Sequence, residues 1–339
     1  MNLLYSIIVL AILTGLASLA GLAPGMGVTA VAVVIPYVAL LVFLAGICWR
    51  VARWASSPVP FRIPTTCGQQ KSLPWIRSAR LDNPSCGVGA VGRMALEVLL
   101  FRSLFRNNRA EMYEQRYVFG DSKFLWLGAL AFHFALLVTA LRHLRLLVQP
   151  VPRFVLALDG MDSFFQVGAP ALYLSNIVII CALAFLLQRR LRDPGLRYIS
   201  LFTDYFALCL LLGIALSGML MRYVTRVDVV AVKRLAIGLA TFHPVVPEGV
   251  GIVFLIHIML VSALAAYFPF SKLMHMGGVF LSPTRNLANN SRAKRHVNPW
   301  NYPVQTHTYG EWQEEFHDKL KMAGIPLDEA YDVRSATPD

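Results

Sequence analysis

The sequence predicts an all-α fold, a polytopic membrane bundle of about six transmembrane helices, and three observations predict it. Of 339 residues, 56% are hydrophobic and only 15% charged, where a soluble chain carries about 25% charged residues. Six stretches are apolar over the ~20 residues that a helix needs to cross a bilayer. The basic residues behind the formal net charge of +12 gather between those stretches, the placement expected of cytoplasmic anchoring and not of nucleic-acid binding.

The expected spans are residues 3–22, 28–51, 124–147, 169–187, 201–223 and 249–270. The first has no positively charged start and the second follows it at once, so it reads as an anchor rather than a removable signal. The turn 23–27 is uncharged, whereas 52–123 carries eleven arginines and lysines, among them Arg53, Arg62, Arg93, Arg102, Arg106 and Arg116. Arg189, Arg190, Arg192 and Arg197 follow the fourth span, and Lys272, Arg292, Lys294 and Arg295 follow the sixth. Positive segments stay inside, so both termini are expected in the cytoplasm. The loop 225–248, with Arg226, Lys233 and Arg234, falls outside against this trend, and long loops count less.

Four regions result: a transmembrane hairpin (1–51), a basic cytoplasmic segment (52–123), a four-helix core (124–280) and a polar tail (281–339). Within the second, residues 90–105 have the pattern of an amphipathic helix at the membrane surface. Within the tail, 309–323 reads as a short helix with Trp312, Phe316 and Leu320 on one face, suited to docking on a cytoplasmic partner. Three of the five cysteines, Cys48, Cys181 and Cys209, lie in apolar runs and read as small buried hydrophobes. Cys67 and Cys86 share the basic segment, where no stable disulfide is expected. There is no CxxCH for covalent haem, and no CxxC to suggest a zinc or iron–sulfur site.

Chemistry is concentrated in four histidines, His133 and His143 on the third span, His257 and His275 on and just past the sixth. An ionisable side chain in hydrocarbon is a functional candidate, and iron can satisfy an imidazole from each of two helices. With alternating topology the helices run antiparallel, which pairs His133 with His275 toward the cytoplasm and His143 with His257 toward the outside. Two bis-histidine haems would then stack across the membrane. His257 and His275, eighteen residues apart, share a helical face, while ten residues rotate His143 by roughly 80° from His133. The rises differ too, roughly 27 Å against 15 Å, so a kink at Pro269 must absorb the mismatch. Helix geometry permits the pairing without compelling it. The alternative is four satisfied core histidines, with His275 at the interface.

Other polar residues have paired readings. Arg142 and Arg145 flank His143 and either bind haem propionates or snorkel to headgroups. His243, before Pro244 in the outer loop, is a quinone-site candidate or an ordinary loop histidine. Asp204 caps the fifth span or relays protons. Gly128, Gly213 and Gly218 admit a flat porphyrin or serve helix packing. His296, His307 and His317 in the tail read as solvated.

From about residue 93 to 283 the chain resembles the gamma subunit of respiratory nitrate reductases, a membrane cytochrome b. The residues that carry the likeness are His133 and His143, then Thr241-Phe242-His243, then the run from His257 through Phe268-Pro269-Phe270-Ser271-Lys272-Leu273 to Met274-His275. The resemblance implies that the four histidines are axial ligands of two b-type haems, paired crosswise, with a quinol site beside His143 and His257. The N-terminal hairpin and the run 62–73 with Asp82-Asn83-Pro84-Ser85 depart from that family, and these, with Asn298-Pro299-Trp300-Asn301-Tyr302-Pro303 and the tail helix, carry a second likeness. Over nearly the whole chain the sequence resembles the DsrM family, the membrane cytochromes b of DsrMKJOP complexes in sulfur metabolism, which are similar to the membrane subunit of heterodisulfide reductase. That implies a prokaryotic inner membrane, menaquinone or ubiquinone, a DsrK-like cytoplasmic iron–sulfur partner and the other subunits of the complex.

The expected function is electron transfer between the quinone pool and that partner, as a subunit with no catalytic residues of its own. A gamma-type cytochrome b of another quinol-linked reductase is the near alternative. A proton-relaying transporter or a cofactor-free scaffold is the distant one.

Overall fold

The computed structural model describes residues 1–23, 25–57, 71, 75, 77–163, 170–282, 285–290 and 307–328, excepting the side chains at 108, 109, 111 and 113. Cys67, His296, most of the run 62–73 and the run 298–303 lie outside the described residues.

Among the described residues, six helices are long and apolar enough to cross a membrane: α1 (Asn2–Gly21), α2 (Met26–Ala55), α5 (Lys123–Leu147), α7 (Leu174–Arg192), α9 (Phe202–Val224) and the segment Ile252–Phe270. The last consists of α11 (Ile252–Tyr267) and a 3-10 turn, Phe268–Phe270. The fourth span departs from expectation. It starts at Leu174 rather than 169 and runs on to Arg192, because Tyr173 at its mouth is extended (φ −85°, ψ 130°) and Pro170 cannot donate a helical hydrogen bond.

The bundle is knit by close approaches, the means by which helices associate when lipid is as apolar as their faces. The third span, α5, packs on α7, and α7 on α9. The N-terminal pair lies along the other side, α1 on α9 and α11 and α2 on α11. A methyl group at Gly46 would fall 2.7 Å from Pro269, and one at Gly128 would fall 2.6 Å from Phe185. Gly128 therefore seats a phenylalanine of the fourth span, and Gly213 seats Leu10 and Leu260. Helix packing, not a porphyrin, accounts for both. Cys209 is buried as expected, but Cys48 and Cys181 are exposed on helix faces.

The chain between the second and third spans holds more than a surface helix. The expected helix over 90–105 is two pieces, α3 (Gly87–Leu100) and α4 (Arg102–Phe105), separated by Phe101 in the left-handed region (φ 49°). An antiparallel hairpin follows, β1 (Asn108–Tyr113) with β2 (Arg116–Asp121), turning at Glu114 (φ 55°). It is the one sheet among the described residues. Alternating Tyr117 and Phe119 suit a strand better than a helix.

Residues 77–105 are latched to 285–290. Asp82 takes Arg102 at 3.0 Å and also Arg106, and Glu97 pairs with Arg285 while accepting the Ser103 hydroxyl at 2.7 Å and its amide at 2.9 Å. Buried Asn83 accepts from Asn289 Nδ2 at 2.6 Å, and the Asn289 amide donates to the Pro84 carbonyl. Burial opposes ionisation of Asp82 and Glu97. Arg106 and Arg102 for the first, and Ser103 and Arg285 for the second, outweigh it and hold both carboxyls below their usual range. A depressed carboxyl contributes stability that is present above its unfolded value and lost as pH falls through its folded one. The latch is therefore closed at neutral pH and opens only on acidification below the ordinary carboxylate range. Glu97→Gln is expected to weaken it at pH 7 by about 1.5–3 kcal/mol, the worth of a hydrogen bond to a charged group. Amide exchange over 87–105 should rise at least tenfold, and unchanged exchange would contradict the assignment.

Residues 295–339 and 58–61 form a separate compact unit. Its described part, expected as one helix over 309–323, is two: α13 (Tyr309–Glu315) and α14 (His317–Met322), broken at Phe316 (φ −107°, ψ 12°). Thr308 caps the first, accepting from the Glu311 amide, while Leu320 is buried and Trp312 packs 6.1 Å from Phe316.

Candidate functional site

Two mechanical features decide where the four histidines fall. The third span is continuous, so His133 and His143 stay on one rigid rod with a rise of about 15 Å between them. The sixth is not. After Tyr267 the chain makes the 3-10 turn at Pro269, an extended residue at Ser271 (φ −109°, ψ 177°), a second 3-10 turn at Lys272–Met274 and a new helix, α12 (His275–Leu281). The count of five turns from His257 to His275 thus does not hold, and the break lies at the proline where the rise mismatch required it.

The structure brings His133 and His275 together. The rings of His133 and His275 lie 5.9 Å apart, centroid to centroid, at 82° to each other. Two metal bonds of about 2 Å each would put facing imidazole centroids roughly 6 Å apart. His143 and His257 are within electrostatic reach of each other at the opposite end.

All four rings are held the same way. Nδ1 of His133 lies 2.7 Å from the Ala129 carbonyl, Nδ1 of His143 lies 2.7 Å from that of Thr139, and Nδ1 of His275 lies 2.8 Å from that of Lys272. A carbonyl only accepts, so each Nδ1 carries the proton. Nδ1 of His257 is 3.0 Å from Oγ of Ser217, whose own proton goes to the Ile214 carbonyl at 3.0 Å. The hydroxyl is thus an acceptor too. Nε2 is the nitrogen left available on each ring, as in a metal-bound histidine whose outer nitrogen is fixed by a second partner.

The surroundings suit a flat, apolar group with iron at its centre. A methyl at Gly218 would lie 3.5 Å from Cε1 of His257, an ordinary contact distance, so the fifth span passes close beside this imidazole. Phe101 and Phe132 stand edge-on to His133, each 5.0 Å away. The Thr139 hydroxyl, one turn before His143, is buried without a hydrogen-bond partner. Imidazoles anchored through Nδ1 are a donor type suited to six-coordinate haem.

Three expected residues are placed differently. Arg142 is satisfied within the protein: Nε reaches Asp159 at 2.9 Å, and Nη1 reaches Asp162 at 2.6 Å and the Ser175 hydroxyl at 3.0 Å. Its guanidinium carbon also lies 3.2 Å from the Tyr173 ring centroid. Arg145 bonds Asp159 through Nη1 at 2.6 Å. Both aspartates belong to α6 (Arg153–Asp162), so these arginines clasp that helix to the bundle. His243 is exposed, its Nδ1 tied to the Thr241 carbonyl at 2.7 Å beside Phe242, which stacks on Tyr37. No ring contact or hydrogen bond joins His243 to the four histidines among the described residues. Asp204 sits at the third position of α9, accepts from the Leu201 amide at 3.0 Å and meets Lys272 at 2.8 Å, a capping role.

Sequence reasoning missed Ser217, Phe101, Asp159 and Asp162. A hydroxyl just before Gly218 within an apolar span was a faint sign of the first. The two aspartates, three apart in an otherwise uncharged stretch, were a sign that Arg142 has protein partners.

The model of the family described as nitrate reductase gamma subunit matches residues 94–293, which include all four histidines. A cytochrome b-like subunit of an Hdr-like menaquinol oxidoreductase from Archaeoglobus fulgidus is 46% identical over 275 residues, covering 79% of this chain and 82% of its own. The protein of that description from Archaeoglobus profundus is 42% identical over 275 residues, with 78% and 81% covered. With this match and its six apolar helices, the chain belongs to the nitrate reductase gamma subunit family of multi-pass membrane proteins.

Proposed function

We propose that the chain is the membrane electron-transfer subunit of a quinol-linked oxidoreductase, with His133 and His275 holding one b-type haem and His143 and His257 a second. The approach of the His133 and His275 rings to 5.9 Å carries this reading, supported by the anchoring of all four histidines through Nδ1, which leaves Nε2 as the nitrogen available to iron. Bound there, each haem supplies a one-electron carrier with no open iron position, which disfavours oxygen or substrate chemistry at the metal.

The His143–His257 pair faces the outside and the His133–His275 pair the cytoplasm, with both termini inside, as the basic connections favour. The curated relatives are named for menaquinol, so menaquinol is the proposed reductant. On oxidation it loses two electrons and two protons. His243, its Nδ1 already committed to Thr241, offers Nε2 to one quinol hydroxyl. Phe101 and Phe132 cover the His133 imidazole at the end from which electrons leave. The acceptor is a cytoplasmic iron–sulfur subunit of the DsrK type, within a complex of the DsrM kind that serves sulfur metabolism. Arg145, with one bond to Asp159, is the remaining propionate candidate of the two arginines beside His143.

A reduced-minus-oxidised spectrum with a pyridine haemochrome count on the purified protein is expected to give two b-type haems per chain. Absence of a Soret band would favour a proton-relaying transporter or a scaffold and overturn the proposal.

A further inference from the structure

At the His143 end the fifth span carries another cation, which the clasp on α6 leaves out. Its last turn, Leu220–Val224, is a π-turn, a wider winding that occurs in short stretches at functional positions. Arg222 sits in that turn, four residues beyond Gly218. A methyl group at Gly218 would stand 3.5 Å from the His257 imidazole, so Gly218 lies on the side of the helix toward that ring and Arg222 about one turn further toward the membrane surface on the same side.

Arg222 has no carboxylate partner among the described residues. One Nη donates to the Ala171 carbonyl at 3.1 Å, and the guanidinium carbon lies 4.0 Å from the Tyr173 ring. Its Nε is buried without an acceptor. Arg142 rests on the same ring, but Asp159 and Asp162 answer its charge and that of Arg145. Three guanidinium groups against two carboxylates leave one positive charge over, at Arg222. A half-buried cation at the edge of hydrocarbon is costly without a counter-ion. Its planar fork of donors suits a carboxylate.

We propose that Arg222 binds a propionate of the haem held by His143 and His257. This rests on the two-haem reading. The carboxylate would take the unpaired Nε–H and a neighbouring Nη–H, cancel the surplus charge, and fix the porphyrin edge against the turn beyond Gly218. The positive charge beside the ring would favour the reduced iron over the oxidised, raising the potential of that haem.

The test uses the full-length protein with its haems. The wild-type haem count is read first, and fewer than two haems would overturn the underlying reading before any variant is made. In Arg222→Gln the midpoint potential of the His143–His257 haem should fall, while that of the other haem stays put. Arg222→Lys, which keeps the charge but not the fork, should hold the potential closer to wild type. Both variants should shift the propionate carboxylate bands in redox-induced infrared difference spectra. Should Arg222→Gln fail to assemble, the bands of Arg222→Lys decide the matter. Unshifted bands with an unchanged potential would overturn the proposal. So would loss of a bound phospholipid at unchanged potential, because the fork would then be holding a lipid phosphate.

Discussion

His143→Ala is expected to leave one haem per chain instead of two and to abolish electron transfer from quinol, while the His133–His275 haem keeps its spectrum. The two pairs share the rod of α5 but otherwise have separate supports. His143 is oriented by the Thr139 carbonyl and faces a ring held by Ser217, whereas His133 is oriented by Ala129 and faces a ring held by Lys272. Removing one imidazole leaves iron with five ligands at that end and does not disturb the far pair, about 15 Å away along the helix. His275→Ala should produce the mirror result. Ser217→Ala gives a graded version: His257 remains but its outer nitrogen loses its acceptor, and such changes weaken metal retention about 10- to 100-fold. Haem counts and redox titrations of the three variants measure this directly. Two haems at unchanged potentials in His143→Ala would remove the central assignment.

Much of this was legible in the sequence because membrane crossing leaves little choice. A run of apolar residues has to satisfy its own backbone, so length and hydropathy fix the helices. Five of the six spans begin and end within a few residues of expectation. The approach of His133 to His275 is the one expected from alternating direction. What escaped depends on contacts between distant segments. Nothing local announces that Asp159 and Asp162 fold back onto Arg142, or that Ser217 lies beside a histidine forty residues later. Phe101 escaped for another reason: a phenylalanine at φ 49° costs about 1–3 kcal/mol, and no propensity rule expects it. It is held there while Trp126 donates to the Leu100 carbonyl at 2.7 Å and the Phe101 ring rests on His133. The same limit left two readings open at Gly128, between which its neighbour, a phenylalanine of the next span, decides for packing.

Arg142→Ala is expected to be the most destabilising single change at the His143 end. Arg142 is 11% exposed and bridges Asp159 and Asp162, 15% and 6% exposed. Truncation strands the Asp162 carboxylate and leaves Asp159 to Arg145 alone, and breaking a buried pair from one side costs about 3–5 kcal/mol. It also removes the cation resting on Tyr173. Asp162 would keep the Ser175 amide at 2.7 Å and hydroxyl at 2.6 Å, which offsets part of the loss. Arg145→Ala serves as the control. That side chain is 39% exposed, and more exposed pairs contribute about 0–1 kcal/mol. Thermal unfolding in detergent should therefore rank Arg142→Ala well below Arg145→Ala. Adding Asp162→Asn to Arg142→Ala should recover stability, because the double variant no longer buries that unanswered charge, and neighbouring substitutions of this kind are not additive. If the double variant is instead less stable than Arg142→Ala by the full cost of Asp162→Asn alone, the clasp is not a coupled unit. α6 would then be held to the bundle by its apolar residues, of which Val155 is fully buried.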